Sequence, residues 1–267
     1  MNFVMENITP DIKEFLNILD KKTKMVAMLA PSFPIDFDYP GIVGMLKRLG
    51  LKYVAEVARG AVETNRQLLA LLKLHPDKKY IANPCPTIVR LIRNKYPKLI
   101  PFLTPIDSPM SATAKIVSKK YPNYKKVFIG PCILKKLEAK EDHPKLDILV
   151  LTYKELKKIF EIKNITPQKS DKSGSFDITG QQTRLYSVSG GLAQSSCLTK
   201  NLTDPEYDVI SGPQLVEKAI QNFPTEINLK VLDILSCEGG CINGPGIVSK
   251  DSLEKRRKMV IAHWKEK

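Results

Sequence analysis

The sequence predicts an α/β fold of the doubly wound kind, with mostly parallel sheet flanked by helices. Short apolar runs of strand character alternate along the chain with segments of helical periodicity. Several runs are apolar throughout, as in strands buried on both faces. No internal repeat or low-complexity tract breaks the alternation.

Thr9-Pro10-Asp11 opens a helix to about Leu19, because Thr9 can accept from free backbone N–H groups and proline suits the first helical position. Residues 25–31 form a continuous apolar run ended by proline, a buried strand. Ile42, Val43, Met45, Leu46 and Leu49 share a helical face that Gly50 ends, and 52–57 is the next strand. A helix over about 61–74 stops before His75-Pro76-Asp77, and Tyr80-Ile81-Ala82 is a short third strand. Helices follow at 87–96 and at 108–121, where Pro109 sits in the first turn, then strands at 126–129 and 146–151 and a helix at 153–160. The polar stretch 163–182 reads as a mobile loop. Ser187 to Gly191 turns into a helix through Gln194, 213–223 is another helix, and 229–235 is a last strand.

The 267 residues suffice for one large domain or two compact lobes without disulfide staples. Five cysteines at irregular spacings, with no signal peptide, argue for a reducing compartment and a cytoplasmic location. Apolar stretches such as 25–31 and 148–151 fall short of the roughly 18 residues that span a bilayer, so no membrane role is expected. The net charge of +14 suits an acidic partner or nucleic acid, or is simply a solvated lysine surface. No zinc-finger, RNP or homeodomain pattern accompanies it, so no specific nucleic-acid recognition is expected.

Four cysteines sit in three loops, each just after a predicted strand: Asn83-Pro84-Cys85-Pro86, Gly130-Pro131-Cys132, and Ser236-Cys237-Glu238-Gly239-Gly240-Cys241. Strand carboxyl ends in an open α/β sheet face a common crevice, so these loops can place four thiolates around one buried inorganic centre, read as an iron–sulfur cluster. Glycines beside Cys241 let backbone N–H groups approach bridging sulfides. Zinc also takes four thiolates, but usually as close pairs, whereas Cys85 and Cys132 stand alone. Lys135 lies one turn beyond Cys132 if a helix starts there, its ammonium reaching the same crevice, and Glu138 either pairs with it or lies outside. Cys197 reads as a buried free thiol, and His75, His143 and His263 show no ligand spacing.

Taken together, Pro84-Cys85-Pro86, Pro131-Cys132-Ile133-Leu134-Lys135-Lys136-Leu137-Glu138 and Cys237 to Gly246 resemble the three signature loops of the [FeFe]-hydrogenase catalytic, H-cluster-binding domain. The resemblance covers nearly the whole chain as a single domain. It implies two α/β lobes with the cluster in the cleft between them, here about 1–105 and 106–250, followed by a C-terminal helix at about 251–267. It implies a [4Fe–4S] cubane on Cys85, Cys132, Cys237 and Cys241, with Cys241 bridging to a diiron subcluster that carries CO, CN⁻ and azadithiolate. Lys135 and Ser32 would then each face a cyanide, and Ser189, Gly190 and Gly191 would match the family's close-approaching glycine turn. Pro131, Glu138 and Met110 complete the implied surroundings. The implied reaction is 2H⁺ + 2e⁻ ⇌ H₂, an oxidoreductase activity.

The departures from the family pattern concern protons. The cysteine that fast hydrogenases place before the first cluster ligand, to protonate the bridgehead amine, is here Pro84; two glutamates of the proton path fall at Thr64 and Gln67. Thr104, Glu63 or ordered water could replace them in part. Gly130 and Leu235 replace methionines, and Met110 stands where glutamine is common. The pattern is similar to the sensory branches of the family, so slow turnover or an H₂- or redox-sensing role is expected. No ferredoxin-like or PAS segment accompanies the match, which implies electrons from a separate acidic ferredoxin-like carrier and loading by hydrogenase maturation proteins. The alternative is a non-catalytic [4Fe–4S] protein of the hydrogenase-like assembly-factor type.

Overall fold

All of β1 (Met25–Leu29) is buried, and the strand sits inside a sheet with helices over both faces. The computed structural model, which describes residues 8–196, 198 and 202–266, pairs β1 with β2 (Tyr53–Glu56) on one edge and β4 (Lys125–Gly130) on the other. Beyond β4 lies β5 (Ile148–Thr152), giving a parallel sheet of order β2-β1-β4-β5. A second parallel sheet joins β3 (Tyr80–Ile81), β6 (Tyr207–Ser211) and β7 (Val231–Leu235) in the order β3-β7-β6. The two doubly wound lobes are therefore present. Cys197 lies outside the described residues.

Helix ends follow local chemistry. Thr9 caps α1 (Pro10–Asp20), Gly50 ends α2 (Gly41–Leu49) in the left-handed region, and Ser108 caps α5 (Pro109–Lys120). Between them, α3 (Ala58–Leu74) follows β2 and α4 (Pro86–Lys95) follows β3. Next come a single turn, α6 (Lys135–Leu137), then α7 (Tyr153–Ile162), whose Thr152 and Glu155 form a capping box, and α8 (Gly191–Ser195). The expected last helices are α9 (Pro213–Asn222) and α10 (Leu253–Lys265).

Three expectations need correction. The lobes do not divide near residue 105: β4 and β5 return to the sheet of β1 and β2, while β3 leaves it and pairs with the distant β7, Tyr80 opposite Val231. Adjacency in a sheet depends on which edges are buried, and chain order decides it only in part. The segment 163–182 is not a free loop. Asp171 is buried and takes a bidentate hydrogen bond from Arg48, both contacts at 2.8 Å, while Ile178 bridges Ala55 on the edge of β2. Finally, β6 was not expected; Tyr207-Asp208-Val209-Ile210-Ser211 is a half-exposed edge strand without an unbroken apolar run.

One buried cluster ties the end of β2 to the later chain. Arg184 Nε donates to Glu56 Oε1 at 2.7 Å, Gly180 N donates to Oε2 at 2.9 Å, and Arg184 Nη1 donates to the carbonyl of His263 in α10 at 3.1 Å. Burial pushes the Glu56 carboxyl up, but the nearby His263 ring, 3.6 Å away, and the hydrogen bonds from Arg184 and Gly180 outweigh it and hold the group below its usual range. Removing one member of such a pair leaves the other charge buried and alone. Glu56→Ala should therefore lower unfolding free energy by about 3–5 kcal/mol, read from the urea midpoint of the cluster-free protein.

Candidate metal centre

Each expected cysteine stands where a strand ends. Cys85 follows β3 and is the N-cap of α4, with Pro86 in the first helical turn. Cys132 follows β4 and stands just before the single turn of α6. Cys237 follows β7, and Cys241 opens a 3₁₀ turn, Cys241–Asn243. Before it, Gly240 has φ = 102°, and a Cβ there would lie 2.7 Å from the Ser187 carbonyl oxygen. Only glycine fits, because a Val188–Gly240 bridge and a 2.9 Å bond from Ser189 N to Gly239 O clamp two loops together.

The four thiols feel one another. Burial pushes the Cys241 thiol well up, with Cys85, Cys132 and Cys237 adding to the rise and Lys135 opposing it. Cys237 is pushed up to about 11 by burial and by Cys85 and Cys132, and Cys132 rises through burial and Cys85. Yet among the described residues no three His, Cys, Asp or Glu side chains stand close enough to hold a single metal ion. A zinc ion with Zn–S bonds of about 2.3 Å needs sulfurs roughly 3.8 Å apart. An anionic set of buried thiolates needs a cationic centre to offset burial and mutual repulsion.

Beside Cys241 a narrow cavity of ≈ 70 Å³ opens between the lobes, with Cys132, Pro131, Ser32, Met110 and Lys135 in its wall, whereas Cys85 and Cys237 do not line it. Lys135 is buried, and its ammonium donates to Glu138 Oε2 at 2.6 Å and to the Pro84 carbonyl at 3.1 Å. Burial alone would push the ammonium towards neutrality; Glu138, then Cys132 and Cys241, outweigh it and keep its pKa above the ordinary lysine value. Glu138 itself lies outside the cavity, so its part is to hold Lys135; it also accepts from Ser108. Ser32 Oγ is 2.8 Å from Tyr153 Oη, which bonds the Ala30 carbonyl at 3.1 Å.

Ser189, Gly190 and Gly191 do not line the cavity. Gly191 is required by packing, since a Cβ there would lie 1.9 Å from the Leu185 carbonyl oxygen. The residues just before them, Tyr186 and Ser187, line it instead. Ser187 opens the turn expected from the sequence, and Tyr186 precedes it. Pro84 lines the cavity, whereas Thr104 and Glu63 do not; Thr104 bonds Asn83, and Glu63 pairs with Arg66 near the surface. Thr64 and Gln67 engage Asp107.

Two parallel α/β lobes with cysteine loops after the strands of each, and a lysine-walled cavity beside Cys132 and Cys241, define a hydrogenase-like iron–sulfur domain. Residues 23–245 match the family described as iron only hydrogenase large subunit, C-terminal domain, and the chain belongs to that family. Iron hydrogenase 1 of Clostridium pasteurianum is 24% identical over 308 residues, covering 91% of this chain and 53% of that protein. The probable cytosolic Fe-S cluster assembly factor oxy-4 of Caenorhabditis elegans is 21% identical over 280 residues, covering 82% of this chain and 60% of that protein. This chain thus spans little more than half the length of those relatives. The structure of [FeFe]-hydrogenase HydA1 from Chlamydomonas reinhardtii shares the fold, with TM-score 0.71 at 18% identity over 97% of this chain and 89% of that one. No helix among the described residues is long and apolar enough to cross a membrane.

Behind the cavity wall, Asp233 in β7 is buried, with one hydrogen bond, 3.3 Å from Ala193 N. Burial pushes its carboxyl up to about 7 from 3.8. The folded state then holds a proton that the unfolded state has lost, so this contribution is full below pH 4 and fades as pH rises to 7. Three units correspond to about 4 kcal/mol. Asp233→Asn should remove that slope and be the more stable protein at pH 8, as urea melts across pH 4–8 would show.

Proposed function

We propose that the chain binds an H-cluster and interconverts protons and electrons with H₂, slowly or as an H₂ or redox sensor. Cys85, Cys132, Cys237 and Cys241 would hold a [4Fe–4S] cubane, and Cys241 would share its sulfur with a diiron subcluster bearing CO, CN⁻ and azadithiolate. The observation that carries the reading is the cavity beside Cys241 with the charged Lys135 in its wall. A cubane alone needs four thiolates and has no use for a basic chamber beyond one of them. When bound, the cubane relays electrons and the diiron unit supplies the site where the H–H bond forms or breaks.

The chain's own residues account for the rest. Glu138 keeps Lys135 protonated and aimed, ready for a charge-assisted bond to an anionic ligand. Tyr153 gives its O–H to the Ala30 carbonyl, so Ser32 donates to Tyr153 Oη and would serve a second acceptor only by turning its O–H away from that bond. Met110, Phe128 and Leu235 keep the chamber apolar, which strengthens each such bond. Pro84 stands at the cavity without a titratable group, hence the low rate. An acidic ferredoxin-like carrier suits the +14 charge. Maturation proteins would load the cofactor, in the cytoplasm. A second reading, a cubane-only protein of the assembly-factor type, draws on the C. elegans relative and on Pro84.

Infrared spectroscopy of the cubane-loaded protein treated with a synthetic diiron cofactor decides between them. CO and CN⁻ bands are the expected result; their absence from folded, cubane-loaded protein favours the second reading. In the loaded protein Pro84→Cys should raise H₂ turnover at least about tenfold, since relays of this kind contribute about 100- to 10,000-fold. Unchanged turnover would place the limit at positions 64 and 67.

A further inference from the structure

Among the described residues five buried side-chain polar atoms lack a hydrogen-bond partner, and two of them, Tyr186 Oη and Ser187 Oγ, belong to consecutive residues lining the cavity beside Cys241. Tyr186 is 7% exposed and Ser187 4%. A buried hydroxyl left unpaired costs about 1–3 kcal/mol, so two on residues that line one chamber call for an acceptor beside them. The other polar groups there are already engaged: Lys135 with Glu138 and Pro84, and Ser32 with Tyr153. The chamber therefore has two free O–H donors, both from the loop that Gly240 clamps against the cysteine turn.

Resting on the H-cluster reading above, we propose that Ser187 and Tyr186 donate hydrogen bonds to the diatomic ligands of the iron pair held at Cys241, as ligand-positioning residues of the cavity wall. Burial and the nearby Asp233 push the Tyr186 phenol well above its usual range, so it keeps its proton. Neither bond moves a proton or an electron. Their effect is to draw charge from the diatomic ligands and to fix the unit's rotation.

The test is infrared spectroscopy of the diiron-loaded wild type, Ser187→Ala, Ser187→Thr and Tyr186→Phe, together with the affinity of the cubane-loaded proteins for the synthetic diiron cofactor. Loss of a donor should move the CN⁻ and CO stretches to lower wavenumber and weaken uptake about tenfold, the equivalent of one hydrogen bond, while Ser187→Thr restores the wild-type bands. Unshifted bands in both Ser187→Ala and Tyr186→Phe would overturn the proposal and leave the H-cluster reading standing. A wild type that shows no bands would remove both. If Ser187→Ala does not fold, Tyr186→Phe, which keeps the ring, carries the test: shifted bands support the proposal and unshifted bands refute it.

Discussion

Four sulfurs must meet at one point, and they hang from two different sheets. Cys132 ends β4 in the first sheet, whereas Cys85 and Cys237 end β3 and β7 in the second, so neither lobe holds the set alone. The topology answers that constraint. The chain leaves the first sheet after β2, visits the second for β3 and α4, returns for β4 and β5, and leaves again for β6 and β7. Contacts between the lobes are correspondingly close: in α3, a Cβ on Gly60 would lie 2.1 Å from the Pro109 carbonyl oxygen at the start of α5. Such backbone approach fixes the crevice width more firmly than side-chain packing could.

The same constraint gives the Lys135–Glu138 pair its meaning. A buried ammonium without a partner would surrender its proton; with Glu138 at 2.6 Å it stays charged even before any anionic centre binds. Its second bond, to the Pro84 carbonyl, joins the loop after β4 to the loop before α4. Proline at that position is thus compatible with the architecture, because the link uses the backbone and not the side chain.

The order of strands and helices was legible because buried parallel strands write themselves as apolar runs, as at Met25–Leu29 and Ile148–Thr152. The cysteine loops were legible because proline and glycine beside a cysteine are unusual enough to be read singly. What escaped had long-range causes. The union of β3 with β7 depends on a two-residue strand too short to carry a pattern. The ordering of 163–182 rests on Arg48 and Val54, both more than 100 residues earlier in the chain. Tyr186 and the part played by the Ser187 side chain escaped because they rest on bonds not made inside the protein, and no local pattern records a missing partner.

Holding a cluster and feeding it protons are separable tasks in this fold, and the chain treats them differently. Thiols, lysine and glycine turn sit at strand ends and tight loops, where backbone geometry dictates residue type. The positions that the family resemblance assigns to a proton path lie on α3, where Thr64 and Gln67 bond Asp107 as ordinary structural contacts. Exchanging a carboxylate for a threonine on a helix face disturbs little packing, whereas moving a cysteine at a strand end dismantles the centre. A hydrogenase-like domain can therefore lose its proton relay while keeping its cluster site intact. That asymmetry explains how one fold serves both proteins named as hydrogenases and proteins named as Fe-S cluster assembly factors.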